Sequence, residues 1–149
     1  MKTQENLLKA ITGESLARNK YSFFAIKARE EGFEGIARIF EETAGNEMEH
    51  AERLLEFIES NAKTTGEIAL DPVGSTVDNL KAAGEGEDHE TTKMYPEFEK
   101  IAKEENQTEI ATIFKEIGEV EEKHRDRYLA IVKRIEEGTV FKRDQEIQW

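Results

Sequence analysis

The chain has 149 residues, two prolines, no cysteine and a formal net charge of −12, with 36% charged and 37% hydrophobic residues. One domain's length with so little proline favours long, solvent-washed helices over disorder or a β-sandwich. The acidic balance argues against nucleic acid as the main partner, the lack of a long apolar run argues against a membrane span, and the absence of Cys excludes disulfides, iron–sulfur clusters and thiolate-bound zinc within this sequence. No secretory segment follows Met1, so a cytoplasmic location is expected.

Four segments near 30 residues long carry the apolar period of a helix. The first is predicted from Thr3, read as its N-cap, to Glu31, where Gly32 stops it; its inner stripe is Leu7, Ile11, Glu14, Arg18, Tyr21, Ala25 and Ala28. The second is predicted from Glu34 to Ser60, with Ile36, Phe40, Thr43, Glu47, His50, Leu54 and Ile58 inward. The third is predicted from Thr76 to Glu105, with Leu80, Ala83, Glu87, Glu90, Met94, Phe98 and Ile101 inward and a kink at Pro96. The fourth is predicted from Thr108 to Glu137, closed by Gly138, with Ile110, Phe114, Ile117, Glu121, His124, Tyr128 and Ile131 inward. Tight turns at Gly32 and Asn106 predict two antiparallel hairpins. Residues 61–75, with Gly66, Pro72 and Gly74, are long enough to run the length of a bundle. The expected fold is all-α: a ferritin-like four-helix bundle over residues 1–138 with one long crossover between helices 2 and 3, followed by a tail, 139–149.

The two halves repeat. Ile36, Phe40, Glu47 and His50 recur as Ile110, Phe114, Glu121 and His124, each 74 positions later, and Tyr21 recurs as Tyr95 with the same spacing. Gly13 and Glu14 recur as Gly86 and Glu87, only 73 positions later. The second half therefore carries one extra residue between Glu87 and Tyr95. An inserted residue in a helix makes a π-type turn, and such turns gather at functional sites. A π turn is predicted near Glu87–Lys93.

The residues that interrupt the apolar stripes are Glu14, Glu47, His50, Glu87, Glu90, Glu121 and His124. Desolvation penalises one buried carboxylate, and five at one core would also repel each other. Two metal ions offset both costs, and hard carboxylate oxygens with imidazole nitrogen suit iron, manganese or zinc. A Glu and a His at i and i+3 share a helix face; two such pairs plus a Glu from each remaining helix make a carboxylate-bridged dinuclear site. A single E-x-x-H in a Glu-rich chain is an ordinary solvated face. Here two of only three histidines fall in the same slot of two repeats. Glu90 has the further reading of a solvated Glu beside the π turn, and His89 points away. Tyr21 and Tyr95 need partners for their buried hydroxyls, and the site carboxylates are the available ones. Arg18 is read as snorkelling or paired.

On the strings Gly13–Tyr21, Glu42–Ala51, Gly86–Glu90, Met94–Pro96 and Glu121–His124, nearly the whole chain resembles the rubrerythrins. The resemblance implies Glu14 and Glu87 as terminal ligands, Glu47 and Glu121 as bridges, and His124 on one iron. It implies His50 and Glu90 as alternative ligands of the other iron, exchanged with oxidation state, and Tyr21 and Tyr95 as hydrogen-bond donors to the ligands. It further implies reduction of hydrogen peroxide to water and a likeness of Val140–Asp144 and Trp149 to the approach to a rubredoxin domain. That domain's Cys-x-x-Cys pairs are absent from this sequence, so an external or missing rubredoxin-type donor is expected. A homodimer is expected by the same analogy, with helix exchange between subunits conceivable. The expected activity is thus a di-iron peroxidase in oxidative-stress defence. A ferritin-like ferroxidase and a dimanganese catalase-like site are the competing readings, and Glu90 is the extra carboxylate that separates the first from the second.

Overall fold

The computed structural model of the chain describes residues 1–140. It consists of α1 (Lys2–Glu30), α2 (Glu34–Leu55), α3 (Thr76–His89), a π turn (Glu90–Met94), α4 (Tyr95–Glu104) and α5 (Thr108–Glu136), with no strand among the described residues. α3, the π turn and α4 run on without a break and form the third rod of a four-rod bundle. The expected tail, 139–149, lies almost wholly outside the described residues.

Both hairpin turns use a residue in the left-handed region, Gly32 at φ 88° and Asn106 at φ 62°. Glycine enters that region freely, and asparagine is among the few other residues that tolerate it. Each closes its helix with the same pair of bonds: Gly32 N–H to Arg29 and Phe33 N–H to Ala28, Asn106 N–H to Lys103 and Gln107 N–H to Ala102. The crossover begins beside Gln4, whose amide donates to the Phe57 carbonyl at 3.0 Å and whose oxygen accepts from Glu59 N–H at 2.9 Å. It ends at the opposite end of α1, where Glu31 accepts from Thr76 N–H at 2.7 Å. The chain therefore travels the length of the bundle between α2 and α3, as the length of the 61–75 stretch implies.

Three expectations change. Thr3 does not cap α1; it lies buried in the first turn, and its N–H and hydroxyl both bond Glu105. The same arrangement joins Thr76 to Glu31, so each half-bundle closes one helix start with the Glu that ends the other hairpin's first rod. α2 stops at Leu55, short of Ser60. The apolar pattern persists because Phe57 and Ile58 still pack on the core from the start of the crossover. Arg18 is exposed and bonds Asn19, because the buried stripe of α1 steps from Glu14 to Tyr21 past the half-buried Ala17.

The apolar core is split in two. One cluster gathers Tyr21, Phe24, Phe40, Leu80, Tyr128 and Ile131; the other gathers Leu7, Leu54, Tyr95, Phe98, Phe114 and Ile117. They are repeat mates in detail. Ring centroids of Phe24–Phe40 and Phe98–Phe114 are both 5.4 Å apart, and those of Tyr21–Phe24 and Tyr95–Phe98 both 6.1 Å. The polar stripe residues are the buried layer that interrupts both stripes.

The π turn carries the inserted residue as expected, centred slightly later than predicted. Tyr95 N–H bonds the Glu90 carbonyl, five residues back, and Pro96 follows at once in α4. The turn is pinned to α5 by the Thr91 hydroxyl, which donates to the Gly118 carbonyl at 2.7 Å. A Cβ at Gly118 would stand 3.2 Å from the Cβ of Tyr95, an atom held by the backbone. Gly118→Ala is therefore expected to cost about 1–2 kcal/mol of stability through overpacking. Gly45→Ala, with nothing within 4 Å of its added Cβ, should be neutral or mildly stabilising. Thermal unfolding followed by circular dichroism compares the two; equal melting temperatures would show that α5 is not seated on Tyr95.

Candidate metal centre

Each long rod supplies one carboxylate to the middle layer: Glu14 from α1, Glu47 from α2, Glu87 from α3 and Glu121 from α5, each no more than 1% exposed. His50 and His124 follow their Glu by three residues and so share its helix face. The ligand atoms fall into two groups, Glu14 with Glu47, His50 and Glu121, and Glu47 with Glu87, Glu121 and His124; within each group the atoms lie within 4.8 Å of one another. Glu47 and Glu121 belong to both groups. His50 Nδ1 stands 3.3 Å from Glu121 and 3.6 Å from Glu14 and Glu47, and His124 Nδ1 stands 3.1 Å from Glu47, 3.5 Å from Glu121 and 3.6 Å from Glu87.

Most of these atoms are buried without a hydrogen-bond partner: Oε2 of Glu14 and Glu87, both oxygens of Glu47 and Glu121, and Nδ1 of both histidines. So concentrated a set of orphaned acceptors is unusual in a folded interior, where buried polar atoms are nearly all paired. Two cations bridged by Glu47 and Glu121 would satisfy all of them, so the residues present fit a dinuclear, oxygen-rich site with one imidazole per ion.

The remaining oxygens of the terminal carboxylates are held across the repeat. Tyr21 Oη donates to Glu87 at 2.6 Å, and Tyr95 Oη donates to Glu14. Burial raises both phenols well above their ordinary range, and the surrounding carboxylates add to it, so they remain donors at physiological pH.

Without cations the layer must hold protons instead. Burial, reinforced by the charge of Glu47, pushes Glu121 well above the usual carboxylate range. Burial, and then Glu87, pushes Glu90 up to about 8. Burial opposes charge on His124, but the Glu47 and Glu87 carboxylates prevail and raise it to about 9. Glu87 runs the other way: burial opposes its charge, yet the neighbouring Glu121, the His124 ring and the Tyr21 hydroxyl hold it low.

Glu90 is half-buried, and its oxygens belong to neither four-residue group. The π turn places it where its Oε1 would lie 4.0 Å from a Cβ at Gly13, on the α1 side of the layer. There it lines a cavity of about 160 Å³ with Gly13, Ala17, Lys20, Tyr21 and Gly86, roofed by Ala69 and Leu70 of the crossover. His89 is exposed, away from the layer.

Two further residues take part: Asn46, which lies on no predicted inner stripe, and Tyr128, which the fourth stripe places inward without a role at the site. Asn46 accepts from the His124 Nε2–H at 3.1 Å. Tyr128 is a third buried phenol, 5.7 Å from the Tyr21 ring, its hydroxyl unpaired. The signal for Tyr128 was its place one turn after His124; Asn46 had only its adjacency to Glu47.

A rubrerythrin profile matches residues 5–132. The chain is 46% identical to rubrerythrin of Porphyromonas gingivalis, covering 99% of this chain and 74% of that protein, and 44% identical to rubrerythrin of Nitratidesulfovibrio vulgaris, covering 99% and 78%. Among solved structures, fully reduced, all-ferrous nigerythrin superposes with a TM-score of 0.81 at 37% identity, over 90% of this chain and 67% of that one. Symerythrin from Cyanophora paradoxa, reduced with dithionite, gives 0.78 at 27%, over 89% and 84%. With the bundle, the crossover, the π turn and the shared-carboxylate layer all in place, these likenesses identify the chain as a member of the rubrerythrin family.

Proposed function

We propose that the protein reduces hydrogen peroxide to water at a di-iron centre, with electrons from a rubredoxin-type donor. The observation that carries the reading is the pair of four-residue groups sharing Glu47 and Glu121. A ferrous pair held there would supply the two electrons that, with two protons, take hydrogen peroxide to two waters. Glu14 and Glu87 would cap the ends of the pair, Glu47 and Glu121 would bridge it, and His50 and His124 would each face one ion. The Tyr21 and Tyr95 hydroxyls fix the terminal carboxylates in place and keep them from turning away. Glu90 stands between the cavity and the layer, where its carboxylate can turn inward and add negative charge. The cysteines that would hold a rubredoxin iron are not in this sequence, so the donor is either a separate protein or a segment outside the sequence given.

The cavity against Glu90 is the route by which peroxide would reach the layer. Gly86 lines it, and a Cβ there meets nothing within 4 Å, so Gly86→Leu fills space without a backbone clash. It is expected to retain two irons and lower kcat/KM for hydrogen peroxide about tenfold, and for tert-butyl hydroperoxide more. Unchanged values for both peroxides would place the entry elsewhere. The function itself is tested by iron, manganese and zinc analysis together with single-turnover oxidation of the ferrous protein by peroxide and by dioxygen. Faster reaction with dioxygen than with peroxide would favour a ferroxidase.

A further inference from the structure

The polar layer is deepest at its carboxylates and shallowest at its histidines. Glu14, Glu47, Glu87 and Glu121 are no more than 1% exposed, whereas His50 is 9% and His124 7% exposed. Both rings stand at the seam between α2 and α5: His50 Nδ1 is 3.3 Å from Glu121 of α5, and His124 bonds Asn46 of α2. α1 packs along α2 and the third rod along α5, but α2 and α5 themselves touch at few points. Exposed side chains close the seam instead. Arg53 of α2 pairs with Glu116 of α5, and Arg127 of α5 pairs with Glu42 of α2 at 3.3 Å. These pairs are repeat mates, since Glu42 and Arg53 recur 74 positions on as Glu116 and Arg127. One lies beyond His50 and the other beyond His124. Between them the Asn46–His124 bond crosses the seam once, and the mate of Asn46 is Val120, which offers no side-chain acceptor. Outside the layer itself, the stretch beside His50 is therefore crossed by no side-chain bond among the described residues until the Arg53–Glu116 pair is reached.

We propose that divalent cations reach and leave the layer through the α2–α5 seam, and that the Arg53–Glu116 and Arg127–Glu42 pairs are latches that set the rate of passage. The proposal rests on the dinuclear reading above. An exposed pair of opposite charges is weakly held in water, so each latch opens without disturbing the rods that carry it. The opposite face of the layer offers a cation a poorer path. The crossover roofs it, tied down at Gln4 and at Glu31, and Lys20 lines its cavity beside Glu90. A neutral peroxide meets no charge penalty at Lys20, so the two faces divide the traffic: oxidant beside Glu90, cations beside the histidines. A latch stands outside the six groups that hold the ions. It therefore changes how fast ions come and go and leaves unchanged how tightly they are held.

The test uses the metal-free full chain and cobalt(II) as the probe ion, followed by its visible absorption. Uptake is measured by stopped flow, loss by transfer to excess EDTA, and stoichiometry and affinity by equilibrium titration. The variants are Arg53→Ala, Glu116→Ala and the double variant Arg53→Ala/Arg127→Ala, with Gly86→Leu as the control for the other face. Each single variant should speed both uptake and loss about threefold and the double variant about tenfold, the scale set by one and two exposed ion pairs that act independently. Equilibrium affinity should stay the same, and Gly86→Leu should leave both rates unchanged. Unchanged rates in the double variant would overturn the latches. Faster uptake in Arg53→Ala with slower uptake in Glu116→Ala would also overturn them, because it would show attraction by surface charge rather than release of a latch. Slower uptake in Gly86→Leu would place the passage at the cavity beside Glu90 and overturn the seam. A wild-type protein that binds fewer than two cobalt ions would overturn the dinuclear reading, and the latches would then stand or fall on the rates of the ion that binds.

Discussion

Metal-free protein should lose about 10 °C of melting temperature between pH 6 and pH 9, while iron-loaded protein should hold steady or gain. The sign follows from the direction of each shift. Glu121 is raised, Glu90 is raised to about 8, and His124 is raised to about 9. A group whose folded pKa lies above its unfolded value contributes stability that is complete below the unfolded value and is lost as pH rises through the folded one. For Glu90 the loss runs from the ordinary carboxylate range up to about 8 and for His124 from 6.5 up to about 9, and Glu121 is shifted in the same direction, as each protonated layer residue gives up its proton. Glu87, shifted down, contributes above the ordinary carboxylate range and loses that contribution only on acidification, so it is silent in this window. A few kcal/mol released in this way converts to roughly 10 °C for a chain of this size. Bound cations replace those protons and stabilise only the folded state, so the gap between the two forms should widen with pH. Scanning calorimetry of both forms at pH 6, 7.5 and 9 measures it. Parallel curves would show that the layer does not carry the buried charge assigned to it.

Glu90→Ala should keep two irons and lose at least about tenfold in peroxide turnover, whereas Glu121→Ala should lose at least one iron outright. Six ligands remain in the first variant: Glu14, Glu47, His50, Glu87, Glu121 and His124, the set the structure already brings together. What is lost is the negative charge poised at the cavity, needed when the pair gains positive charge; a tenfold effect is about 1.4 kcal/mol of barrier. Reaction with dioxygen should suffer less. Glu121 lies in both ligand groups, so its removal opens the bridge and leaves the layer a carboxylate short. Metal content and stopped-flow single turnovers with each oxidant, using an added electron donor, distinguish the variants. Unchanged peroxide kinetics in Glu90→Ala would move the assignment to a ferroxidase.

Much of this protein is written in local pattern. Four apolar stripes fix four rods, because a 3.6-residue period leaves a helix only one face to bury. Gly32 and Asn106 fix the turns, because few residues enter the left-handed region without strain. The change of repeat spacing from 73 to 74 fixes the π turn, because an extra residue in a helix that keeps its flanking contacts can only be absorbed as a bulge. Even the polar layer is legible, since buried carboxylates in matched slots need cations. The rest depends on which surfaces meet. That Tyr21 reaches Glu87 while Tyr95 reaches Glu14, each across the repeat, is decided by the packing of α1 against α3 and α4. That Thr3 bonds Glu105 rather than capping its own helix is decided by where the other hairpin ends. Arg18 leaves the stripe because only the packed bundle shows which of two adjacent helix positions faces in. Asn46 finds His124 78 residues away, on a different helix. Periodicity tells which side of a helix is inside, and a hydrogen bond between helices is set by their relative rotation and rise, to which a single stripe is blind.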